Sequence, residues 1–190
     1  MEIDVKVDFK KLKNVIEEMS KEYSIKVGIL ANKGGSDLVS KDLDVAGLGA
    51  VQEFGVTINV TEKMRNFLRC QGLPLKKETK TITIPARSFI YASLSRSKEI
   101  RKKVKKLVYS NDSIETLEKL ILQGDKGLLE VVASAIAISA VEQIQDAFDT
   151  SGFGEWQQNH PYTIEKKGSA MPLIDTGRLR NSITFEIEKG

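Results

Sequence analysis

The sequence predicts an α+β fold: a small, mostly antiparallel sheet with helices packed on one face, a long central helix and an extended β-hairpin. Three observations predict it. Val56 to Val60 and Thr79 to Ile84 are rich in β-branched residues and read as the two strands of a hairpin, with Met64 to Lys77 as its long basic connection. Leu128, Val131, Val132, Ala135, Ile136, Ile138, Val141, Ile144 and Phe148 form a wide apolar stripe at helical spacing. Ser182 to Glu188 alternates Ile183, Phe185 and Ile187 with polar residues, the period of a closing strand.

The remaining elements follow in order. Ile3, Val5 and Val7 alternate with charged residues, a short opening strand, and Phe9, Leu12, Ile16 and Met19 then make one face of a helix that Asp8 can cap. Tyr23 to Leu30 reads as a strand, and Asn32 to Ser36 as a loop whose glycines lack the spacing of a phosphate-binding motif. Val45, Leu48, Val51 and Phe54 recur every third residue, a short helix that Gly55 stops. Pro85 ends the second hairpin strand.

Ser88 to Tyr109 begins apolar and turns basic. Arg96, Lys98, Arg101, Lys102, Lys103, Lys105 and Lys106 crowd a helix whose apolar stripe is Ile100, Val104, Leu107 and Val108. Such a run is ordinarily a solvated face, and otherwise a contact for DNA or an acidic protein ring. Ser113 is placed to cap the next helix, which Gly124 and Gly127 break or kink. The long helix, from Lys126 to Phe148, would span about 35 Å at 1.5 Å per residue. Its alanines and serines would let a sheet approach closely, and an oligomer interface is the other use for so wide a stripe. Asp149 to Met171 reads as a long irregular loop carrying Trp156, either a core residue or an anchor for a partner surface. Asp175 or Thr176 caps a last short helix through Leu179 and Arg180. The order is β-α-β-α-β-β-α-α-α-β, and 190 residues suit a single domain with a hairpin arm at about 56–85 and a long loop at about 149–172.

Composition excludes several function classes. Lys and Arg number 29 against 26 Asp and Glu, a net charge of +3, too small for a dedicated nucleic-acid module. Cys70 is the one cysteine and His160 the one histidine, so neither a disulfide nor a zinc site can form within the chain, and nothing pairs them as a thiol catalyst. No nucleophile elbow, Walker loop or dinucleotide fingerprint is present. The expectation is a protein without catalysis, metal or cofactor. The first residues lack the apolar stretch of a signal peptide, and polar residues within 128–144 argue against a membrane span.

Three segments carry a resemblance: Val51-Gln-Glu-Phe-Gly55 at a helix end, Ile84-Pro-Ala-Arg-Ser-Phe89 between strand and helix, and Pro172-Leu-Ile-Asp-Thr-Gly-Arg-Leu-Arg-Asn-Ser-Ile183. In this order and spacing the chain resembles the phage virion morphogenesis, or tail-completion, family from about Ile25 to Ile187. The family often has a second proline where this chain has Ser88, and a histidine where it has Gln52.

The resemblance implies a structural protein of a tailed phage or prophage that completes the tail or the head–tail junction. It would be made in the bacterial host cytoplasm and placed in the virion as a homo-oligomeric ring against tail tube, connector or neck proteins. Glu53, Phe54, Gly55, Pro85, Phe89, Asp175, Thr176, Gly177 and Leu179 would be its architectural residues. Arg87, Arg96, Arg101, Lys102, Lys105, Trp156, Arg178 and Arg180 are the candidates for partner or subunit contact, with Arg87, Arg178 and Arg180 expected to be exposed. Met64 to Lys77 and Gly152 to Gly168 are the loops expected to order on assembly. The alternative is a DNA-associated packaging or connector accessory that uses the basic helix 96–106.

Overall fold

The structure, a computed structural model, describes residues 10, 13, 14, 16, 17, 22–41, 43–123 and 127–189. The expected strand at 1–7, its Asp8 cap and the break at Gly124 lie outside the described residues, as does most of the helix that follows the strand; residues 10, 13, 14, 16 and 17 are helical. The fold is α+β. Six strands pair as three two-stranded sheets among the described residues: β1 (Tyr23–Ile29) with β6 (Ile183–Lys189), β2 (Leu38–Ser40) with β3 (Leu43–Asp44), and β4 (Val56–Asn59) with β5 (Thr81–Ile84). The helices are α1 (Val45–Phe54), α2 (Glu62–Cys70), α3 (Tyr91–Leu94), α4 (Ser97–Val108), α5 (Asn111–Gln123), α6 (Leu128–Asp149), α7 (Pro161–Lys167) and α8 (Arg178–Asn181).

The chain divides into two compact units. The first holds the described residues of Met1–Val27, Arg96–Gln143 and Phe185–Gly190, and the second Gly28–Ser95 and Ile144–Thr184. In the first unit, Lys26 on β1 pairs with Glu188 on β6, and Lys189 Nζ lies over the Tyr23 ring, 5.6 Å from its centroid. Leu107, Leu117, Leu120 and Val131 from α4, α5 and α6 face a common apolar cavity of about 620 Å³.

The second unit contains the hairpin. Its register is Val56↔Ile84, Thr57↔Thr83, Ile58↔Ile82 and Asn59↔Thr81, antiparallel. Period two puts Thr57, Asn59, Thr81 and Thr83 in solvent and turns Val56, Ile58, Ile82 and Ile84 inward. The Thr57 and Thr83 hydroxyls meet at 3.1 Å across the strands.

The first half of the connection read as a basic loop is instead helical, within α2. Thr61 caps α2 by accepting from Met64 N at 3.2 Å. Arg65 then holds the return: Nη1 donates to Lys76 O at 2.8 Å and Nη2 to Thr79 O at 2.8 Å. The segment Gly152 to Gly168 also departs from the expected loop. It contains α7, and its first turn is tied by Gly152 N to Ala147 O (2.6 Å) and Trp156 N to Ser151 O (3.1 Å). Both segments are therefore bonded within the chain and differ from the irregular loops expected of them.

Smaller corrections have plain reasons. The basic stretch after Ser88 is broken at Arg96, whose φ of −82° and ψ of 51° leave the helical region, so α3 and α4 are separate. Helix α5 starts at Asn111, so Ser113 lies within it. In α6 the buried positions include Ala133, Ala137, Ala140, Ile144 and Ala147, at alternating spacings of four and three, together with Ser139, Gln143 and Phe148, while Ile136 and Ile138 are partly exposed. Small residues make up most of the buried face, and Ile144 and Phe148 are its bulky members. By length and composition alone, Leu129–Asp149 is apolar enough to cross a membrane, which its polar residues had been read to exclude. Its buried alanine face fits a core helix equally well.

Candidate functional site

The three segments that carry the resemblance converge in the second unit, and the carboxylate of Glu53 sits at their centre. In α1 the buried positions are Val45, Gly49 and Glu53, spaced by four. The expected stripe ended on Phe54, but Phe54 is 80 % exposed and Glu53 only 8 %. Asp44 sets the start of the helix by accepting from Gly47 N at 2.6 Å. A side chain at 49 would collide with Ile29 and press on Phe89 and Leu179, so a glycine there lets a strand, an aromatic ring and α8 close on the helix.

Glu53 Oε2 accepts from Phe89 N at 2.7 Å and Ile90 N at 2.9 Å; Oε1 accepts from Ser88 Oγ at 2.7 Å and Tyr91 N at 3.0 Å. These are the amides that open α3, whose own cap residue Ile90 has no side-chain acceptor. A carboxylate more than 30 residues away in sequence thus does the work of a helix cap. Burial is the largest influence on its pKa and pushes it up. The bonds from Ile90, Ser88, Tyr91 and Phe89 together outweigh it and hold the group below the ordinary carboxylate value. Ser88 extends the network by accepting from Ala92 N at 3.1 Å.

Gly55 follows with φ 70°, and a Cβ there would lie 2.7 Å from Ala86 N and 2.9 Å from Ile84 O. The backbone therefore passes this point only as glycine. Beside it, Arg87 N donates to Gln52 O at 2.7 Å.

Phe89 and Phe148 are fully buried, with ring centroids 5.0 Å apart, and Trp156 meets Phe148 edge-on at 5.8 Å. Trp156 Nε1 donates to Ser88 O at 3.1 Å. At 7 % exposure, Trp156 is a core residue and not an anchor for a partner.

The arginines separate. Arg87, expected at the surface, is 8 % exposed. Its guanidinium donates through Nε and Nη2 to Gln157 O at 3.2 and 3.1 Å, pulling the segment after α6 onto the strand–helix junction. Arg180 makes a two-pronged pair with Asp149, Nε to Oδ1 at 3.1 Å and Nη2 to Oδ2 at 2.8 Å, so its carboxylate partner is in its own chain. Arg178 is exposed. Neither Asp175 nor Thr176 sits at the start of α8: Gly177 does, with φ 75°, and Thr176 Oγ1 accepts from Arg178 N only at 3.4 Å. Leu179 is buried as expected, together with Ile183 and Pro172. Pro85 closes β5.

In the first unit, Lys98, Arg101, Lys102, Lys105 and Lys106 on α4 are all exposed, with Glu99 as the one acidic residue of that helix; Arg96 is half-buried. One further surface has no local signal in the sequence. Tyr91, 77 % exposed, stands with Phe54 beside an apolar groove of about 390 Å³ floored by Ile29, Ala50 and Ile90. Among the described residues no three His, Cys, Asp or Glu side chains gather as a metal site. No family model matches the chain, and neither does any curated protein or solved structure.

Proposed function

We propose that the chain is a non-catalytic assembly protein of a tailed phage or prophage particle, acting where the tail is completed or joined to the head. The observation that supports this reading is the convergence on Glu53. The segments 51–55 and 84–89 are joined by its hydrogen bonds, and the segment 172–183 brings Leu179 against the same helix at Gly49. The residues that carry the resemblance thus have architectural roles that depend on one another, as a scaffold motif requires. The exposed Phe54 and Tyr91 at the edge of this scaffold are the apolar surface through which a subunit would join a ring.

The test uses particles banded from an induced culture of the strain that carries the gene. The chain is expected in the purified particles by mass spectrometry, and at one tail end or the neck by antibody labelling in the electron microscope. Particles that form without it sink the proposal.

A second reading is favoured by one observation, the exposed basic face of α4. As a DNA-contacting accessory, the chain would bind a labelled duplex with an affinity that falls steeply with salt. Binding that is weak at low salt and flat across the series would remove that reading.

A further inference from the structure

The second unit carries a half-open pocket of about 500 Å³, within the range of small-ligand sites. Its walls bring together three cations, Arg87, Lys167 and Arg178, against one carboxylate, Asp175. Leu48 and Leu173 supply apolar wall.

Arg87 is the unusual member. It is more than nine-tenths buried, yet its acceptors are neutral: Gln157 O, and Asn159 Oδ1 at 3.5 Å. Among the described residues no carboxylate pairs with it, and Nη1 donates to no protein atom. A guanidinium taken out of water without a counter-charge is costly, and burial lowers its pKa. Lys167, only partly buried, lines the same pocket. Its Nζ donates to Met171 O at 2.8 Å and has protons to spare. Burial lowers its pKa, Asp175 acts in the opposite direction, and the charge of Arg87 lowers it further. Two cations that repel each other thus line one pocket, whose single carboxylate, Asp175, acts on Lys167.

We infer that this pocket is a binding site for an organic carboxylate, held between the guanidinium of Arg87 and the ammonium of Lys167. Two oxygens match donors from two sides. Asp175 opposes a second negative charge, which sets a singly charged carboxylate above a doubly charged phosphate. The organic part would rest on Leu48 and Leu173. The site owes nothing to the assembly reading and stands or falls apart from it.

Titration calorimetry on the full chain tests this, at ionic strength held constant with sodium chloride. The probes are butyrate, a short neutral-ended peptide with a single glutamate, and inorganic phosphate. One saturable site per chain is expected for at least one carboxylate, weakened about tenfold in Lys167→Gln, the loss of one charge-assisted hydrogen bond. Arg87→Gln removes the other partner but also the tie to Gln157, so Lys167→Gln, with an unchanged unfolding temperature, is the deciding variant. Tighter binding of butyrate makes the ligand a small acid, and tighter binding of the peptide makes it a protein side chain. No saturable binding, equal binding by Lys167→Gln, or phosphate preferred over both carboxylates each overturns the inference.

Discussion

A single carboxylate does much of the organising in the second unit. Replacing Glu53 by Gln keeps the shape but leaves one acceptor oxygen for four donors. A loss of about 2–3 kcal/mol is expected in urea unfolding. The same residue gives the protein an acid limb. Its pKa in the folded chain lies below the ordinary value of 4.5, so it binds its proton more weakly folded than unfolded. Its contribution is therefore full above about pH 4.5 and is lost as the pH falls through that value toward the folded pKa. The urea midpoint of the wild type should drop over that interval, and that of Glu53→Gln should drop less; parallel curves would remove Glu53 as the cause. Trp156 offers a finer probe. Trp156→Phe keeps the ring beside Phe148 and removes only the donor to Ser88 O, at an expected cost of about 1 kcal/mol plus the unfilled ring volume. Neither role was legible in advance. Glutamate at a helix end is an ordinary surface residue until residues 88–91 are folded onto it, and nothing local to Trp156 says which backbone carbonyl its indole will find.

Elements were easier to read than the faces they bury. The bounds of α1 and the pairing of β4 with β5 follow from Gly55, Pro85 and the β-branched runs, all local signals. The face of α1 was misread because Phe54 is the more apolar neighbour, and the hydrogen-bond demand of residues 88–91 chose Glu53 over it. Helix α2 was missed although Thr61 and the spacing of Met64, Phe67 and Leu68 signal it; Gly72, Pro74 and the lysines made the whole stretch read as loop. Its fastening is open to test. Arg65→Gln should leave the unfolding temperature nearly unchanged and speed tryptic cleavage after Lys76 and Lys77, since the carbonyls that pin the return lose their donor. Cleavage at the wild-type rate would show that Arg65 does not hold it. On α6, Ser139 Oγ is buried with no hydrogen-bond partner among the described residues. Ser139→Ala is expected to raise stability by about 1 kcal/mol by removing an unpaid desolvation; a fall would mean that the hydroxyl has an acceptor after all.

For the whole molecule, the α+β class was legible because it rests on periodicity, which is a property of short windows. The separation into two compact units was not, because it depends on which distant segments meet. Assembly state belongs at this scale too. Light scattering of the purified chain across a concentration series is expected to show a closed ring, with Phe54→Ser and Tyr91→Ser shifting it toward monomer. A monomer at every concentration would rule out self-assembly through that surface and leave a preformed tail or connector as the template.

The knot at Glu53 also has a consequence for how such a chain can change over generations. It fastens the two ends of the stretch from Gly55 to Arg87 at one point, so the stretch behaves as a stem with a head whose size the core does not register. Lengthening the head adds only about 0.6 kcal/mol of closure entropy per doubling. Its exposed tie to the rest is a hydrogen bond from Tyr162 Oη to Gln71 O at 3.0 Å. Insertions, deletions and wholesale exchange should therefore collect between Val60 and Lys80, leaving this part of the molecule free to be refitted to new neighbours while the base stays fixed.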